Sequence, residues 1–213
     1  MLRKDPLATG NYYHIFNRGV NKNDIFFSDK DYKRFMATAI HYNYFTHKFP
    51  SVSSYDPVSS KLEKMPKPKV KILAYCLMPN HFHFLIYQLE ESGITWFMQH
   101  LINSYVHYAN IRHNRVGPLF QGRFKNVLVD SDNQLLHLSR YIHLNPIVSD
   151  LTNNLENYAW SSYPSYVRGF NDYLSEPQNV LGNFKSSKDY RDFVLDQEDY
   201  ARSLEQLKHH ILD

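Results

Sequence analysis

The run VKILAYCLMPNHFHFLIY, Val70 to Tyr87, limits the fold more than any other part of the chain. Strand formers fill both halves, and Pro79-Asn80 between them carries turn chemistry, so the run predicts a β-hairpin. Burying one imidazole costs free energy unless it finds a partner. This hairpin holds two, His81 and His83, one residue apart.

The flanking sequence supplies the remaining elements. NYYHIFNRG alternates and ends at Gly19, as a first strand with a turn does. Tyr32, Phe35, Met36 and Ile40 recur at helical spacing behind Ser28 or Asp29 as N-cap, giving a helix from about Asp29 to about Phe45. His47 to Lys69 holds four prolines and five serines and reads as a long exposed connection or an insertion. Ile94, Phe97, Met98, Leu101, Ile102 and Tyr105 mark a second helix ending near HNRVG. GPLFQGRFKNVLVD reads as a broken strand or an extended segment. SDNQLLHLSRYIHLN is a third helix, capped by Ser131 or Asp132 and stopped at Pro146. The stretch after Pro146 to about Gly169 is expected to be irregular and held on the core by its aromatics, and the tail to form one or two helices.

The order β-α-β-β-α-β-α is that of an α+β chain with a ferredoxin-like split βαβ antiparallel sheet. Its helices would lie on one face, and the third helix would be an extra element against the sheet.

A chain of 213 residues with 43% hydrophobic content can bury a real core, in one domain plus an appendage. A net charge of +3 permits a nucleic-acid partner without demanding one. Cys76 is the sole cysteine, so an intrachain disulfide and a closed cysteine-zinc site are both excluded. The 17 tyrosines and 14 phenylalanines could stack on unpaired bases, although for any one of them the core comes first. MLRKDPLATG has no apolar stretch of a secretory signal, and no run nears the ~18 apolar residues of a membrane span. A cytoplasmic protein with no membrane partner is the expectation.

In a strand, His81 and His83 point to one face, with Phe82 and Phe84 on the other. Two parallel imidazoles can chelate a divalent cation, and they equally suit the polar face of a half-exposed strand. Position 85, where metallohydrolases of the His-x-His-x-Asp type need a carboxylate, is Leu85. Further ligands must therefore come from elsewhere. On the third helix Tyr141 and Asn145 lie one turn apart on a shared face, and His137 lies one turn earlier. That helix alone also reads as an ordinary polar surface.

Taken together, YYHIFNRG, LAYCLMPNHFHFLI, GPLFQGRFKNVLVD, LSRYIHLNP and YAWSSY run in one order from Tyr12 to Tyr163. In that order they resemble the HUH single-tyrosine transposases of bacterial insertion sequences, and more closely their REP-associated branch. The resemblance implies a catalytic domain over 1–168, with an insertion at about 47–69, and a helical extension over 169–213. It implies that His81, His83 and Asn145 hold a divalent cation, Mg or Mn, and that Tyr141 is the nucleophile. Cleavage and strand transfer of single-stranded DNA, often near hairpins or short palindromes, would pass through a 5′-phosphotyrosine. Arg18, Arg112, Arg115, Phe120, Arg123 and Lys125 would contact the DNA. His137 and His143 could shuttle protons, and relatives act as monomers or homodimers.

Other classes share parts of this pattern. A ferredoxin-like sheet with exposed aromatics can bind nucleic acid without catalysis. A relaxase or replication-initiator nickase also carries a histidine pair and a tyrosine.

Overall fold

The computed structural model describes residues 6–49, 66–199 and 201. Strand β1 (Tyr12–Arg18) is followed by helix α1 (Asp29–Tyr44), the hairpin β2 (Val70–Met78) and β3 (His81–Gln88), helix α2 (Gly93–Arg112) and β4 (Lys125–Val129). The strands form one antiparallel sheet in the order β2-β3-β1-β4. This is the ferredoxin-like layout expected from the sequence. The expected insertion falls mostly on residues 50–65, outside the described residues.

Each face of the sheet carries its own core. Tyr13 and Ile15 of β1 and Phe82, Phe84 and Ile86 of β3 face α1 and α2, where Phe35, Phe97, Leu101 and Tyr105 meet them. The other face is covered mainly over β2 and β3 by helix α3 (Asp132–Val148), with α4 (Tyr163–Arg168), α5 (Gln178–Leu181) and α6 (Ser187–Leu195) behind it. A β-bulge between Ile72 and Ala74 shifts the alternation of β2. As a result Tyr75 and Leu77 join the first core, while Cys76 and Met78 lie opposite His83 and His81. Cys76 is fully buried, and burial pushes its thiol pKa up, so it packs as an inert apolar group.

Two local expectations are corrected. Pro146 does not stop α3, which runs on to Val148. A proline in the last turn forfeits a single helical hydrogen bond, and the turn still closes through the Ser149 N–H on the Asn145 carbonyl. The segment after it is not wholly irregular either. Pro164 opens the short α4, whose Tyr163 and Tyr166 are buried in the second core.

Candidate active site

The alternation of β3 sends His81 and His83 to the α3 face, and the β1–β3 register sets Phe16 opposite His83 and Arg18 opposite His81. Helix α3 begins at Ser131, whose Oγ accepts the Gln134 N–H. Polar bonds in the second core then fix its rotation. His143 bonds the Tyr190 hydroxyl through Nδ1 (2.7 Å) and Ser162 Oγ through Nε2 (2.8 Å), and Ser162 Oγ accepts the Tyr75 N–H of β2 (2.9 Å). Two residues back, the 48%-exposed Tyr141 emerges beside the sheet histidines. Its ring stands edge-on to His83, 5.5 Å between centroids, and to His14, 6.1 Å.

His14 was not singled out in the sequence, yet it sits at the centre of this group. Its Nε2 lies 2.8 Å from Nδ1 of His83, and the two rings stack at 5.0 Å. Burial lowers the pKa of His14 to about 4. His83 is held well below the usual imidazole value, first by burial and then by His14, His81 and Arg18. Both rings are therefore neutral near pH 7, the form that ligates metals. The Nε2 of His83 is buried without a hydrogen-bond partner among the described residues. His81, 4.9 Å from His83 between centroids, donates its Nδ1–H to Asn80 Oδ1 at 2.5 Å.

This arrangement suits a divalent cation. A carboxamide oxygen can only accept, so Nδ1 of His81 carries a proton, and in the neutral ring the lone pair is on Nε2. The Nε2 of His83, buried with no hydrogen-bond partner among the described residues, is a nitrogen that a cation could meet. On α3, Asn145 commits its amide nitrogen to the Tyr141 carbonyl at 2.7 Å, so its oxygen is the atom that could serve a cation. No group of three or more His, Cys, Asp or Glu side chains gathers as a metal site among the described residues. A set made of His81, His83 and Asn145, as expected from the sequence, would be an open one of two imidazoles and a carboxamide.

The remaining residues named from the sequence divide. Arg18, Arg123 and Lys125 are exposed at the His81 end of the sheet, and Val127 beside them on β4 is 49% exposed. Arg112 lies apart, 3.6 Å from the buried Asp31, and Arg115 stands over Phe27 at 5.6 Å. Phe120 is corrected as a base-stacking residue. It is 5% exposed and packs edge-on to Phe82, because its backbone bridges Gly19 and turns the ring inward. His137 bonds Arg140 and packs on Phe193 of α6. His143 has both nitrogens engaged inside the second core, where burial lowers its pKa to about 3. The structure does not bring His143 to the histidine pair.

Residues 55–145 match the model of the family described as Transposase IS200 like. Among solved structures, the chain is similar to a REP-associated tyrosine transposase bound to a REP hairpin. That likeness has a TM-score of 0.58 over 83% of this chain and 91% of the other, at 12% identity. No curated protein matches the chain. The family match over residues 55–145 agrees with the resemblance read from the five motifs, and the likeness to the solved structure bears out the fold. Among the described residues no helix is long and apolar enough to cross a membrane.

Proposed function

We propose that this chain, a relative of the IS200-like transposases, cleaves and rejoins single-stranded DNA through Tyr141, with a divalent cation held by His81, His83 and Asn145. The observation that carries the reading is the place of Tyr141. Among the tyrosines of the described residues, it is the one whose ring meets both His83 and His14, although 58 residues separate it from His83.

The chemistry follows from the groups present. The Tyr141 oxygen attacks a backbone phosphorus, and the bond from phosphorus to the 3′ oxygen breaks. The phenolic proton passes to solvent and the departing 3′ oxygen takes one up. A 5′-phosphotyrosine and a free 3′-hydroxyl result. One phosphodiester has replaced another, so a second 3′-hydroxyl can reverse the step and join strands without a nucleoside triphosphate. Free tyrosine, with a pKa of about 10, is a poor nucleophile near neutrality. Bound Mg or Mn would neutralise charge on the attacked phosphate and on the leaving oxygen.

The neutral state of His83 keeps a ligand available near pH 7. Arg18, Arg123 and Lys125 give the phosphate backbone a positive margin on the open side of the face. The likeness to a transposase bound to a REP hairpin supports a substrate with a small palindromic hairpin. Tyr141 meets His83 of its own chain, which supports a monomer as the acting unit.

The test uses a labelled single-stranded oligonucleotide carrying hairpin-flanked candidate sites, with Mg or Mn. A covalent protein–DNA adduct is expected, and chelator should abolish it. Tight binding with no adduct on any such substrate would favour a non-catalytic binding module.

A further inference from the structure

Whether two histidines can share a cation depends on which ring nitrogens carry protons. A ligating nitrogen must be bare, and the other nitrogen must give its proton to an acceptor. We propose that His14 and Asn80 are the positioning residues of this site, each accepting the Nδ1–H of one histidine so that His83 and His81 both present Nε2. The inference rests on the reading of the site as a metal centre.

For His81 the acceptor is fixed from behind. Asn80 donates its Nδ2 to the Lys22 carbonyl at 3.0 Å, which turns Oδ1 toward His81. That carbonyl is held in a tight turn. Lys22 N–H donates to the Gly19 carbonyl at 3.1 Å, and Gly19 N–H donates to the Asn80 carbonyl at 2.8 Å. Gly19 is required there, because a Cβ would collide with the carbonyl oxygen of Asn23.

For His83 the acceptor is another imidazole, and the polarity follows from burial. If His14 donated, the proton of His83 would sit on Nε2, a buried atom with no acceptor among the described residues. If His83 donates, Nε2 is a bare lone pair that a cation can fill. His14 then carries its own proton on Nδ1, and it is only partly buried, so water can meet it.

The experiment uses the full chain in two arms. In the metal-free protein labelled with ¹⁵N-histidine, long-range proton–nitrogen NMR reads the protonated nitrogen of each ring. Protons on Nδ1 of both His81 and His83 are expected, and a proton on Nε2 of His83 overturns the role of His14. In the second arm, Mn²⁺ is titrated and followed by its electron paramagnetic resonance signal. His14→Leu and Asn80→Ala should weaken binding about 10- to 100-fold. His14→Gln, which restores an oxygen acceptor, should recover much of the loss, whereas a purely packing role would not be rescued this way. Near-UV circular dichroism identifies any variant that has lost its fold. If the wild type binds Mn²⁺ and His14→Leu binds it equally well, the inference fails and the metal site stands. If the wild type binds none, the metal site fails and takes the inference with it.

Discussion

The ring of Tyr141 stands at 77° to the ring of His83, 5.5 Å between centroids, across the seam between α3 and β3 of a single chain. If Tyr141 is the nucleophile, as proposed, its presentation in cis has a direct consequence. Mixing a His83→Ala protein with a Tyr141→Phe protein should not restore adduct formation, because neither chain holds a complete site. Recovery of activity in the mixture, read by adduct formation on a denaturing gel, would show that the helix is exchanged between chains.

Removing the proposed metal ligands should separate chemistry from binding. His81→Ala or His83→Ala should abolish cleavage while leaving most single-stranded DNA affinity, because the cations at the margin remain. Chelator should have the same effect on the wild type. Paired cleavage and fluorescence-anisotropy assays check both halves.

Basic and aromatic residues of the 112–125 segment should behave in opposite ways. Arg123→Ala or Lys125→Ala alters an exposed side chain, so stability should hold within about 0.5 kcal/mol. The slope of log affinity against log salt should shrink by about one for each phosphate no longer neutralised. Phe120→Ala removes a ring packed against Phe82 and should cost about 3 kcal/mol or more of stability. Salt-dependent binding and denaturant melts distinguish the two classes.

Acid should destabilise the fold through His143. In the unfolded chain this histidine takes a proton near its ordinary pKa of 6.5, whereas in the folded protein burial delays protonation to about 3. The unfolded state therefore binds more protons in that window. The contribution is complete above pH 6.5 and is lost as pH falls toward 3, at about 1.4 kcal/mol per pH unit. Denaturant titrations at pH 7, 6, 5 and 4 should show the decline. His143→Gln, already weaker at pH 7 for want of its buried hydrogen bonds, should show a slope shallower by one proton.

The hairpin, the helices and the ferredoxin-like order could be read from the chain because alternation and helical spacing are local signals. The facing of His81 and His83 followed from strand parity alone. Tyr141 was different. Its own helix did not distinguish it, and only the order of five motifs picked it from the other tyrosines. His14 escaped because its importance lies in the β1–β3 register, which sets β1 against β3 across a span of about seventy residues. Asn80 was legible as a turn residue, and its place next to His81 was the available hint of more. Phe120 misled because its basic neighbours suggested exposure, while the bridge of its backbone to Gly19 turns the ring into the core. His143 misled for a geometric reason. Two residues after Tyr141, it points to the opposite side of α3, into the second core.

The central claim is that the Tyr141 oxygen forms a covalent bond to DNA. The most direct measurement is mass spectrometry of the peptide holding Tyr141 after reaction with a single-stranded, hairpin-flanked oligonucleotide and Mn²⁺. A nucleotide adduct on Tyr141, absent in Tyr141→Phe while that variant keeps its fold and its DNA affinity, is the result expected. An adduct on another residue, or one that persists in Tyr141→Phe, would contradict the account.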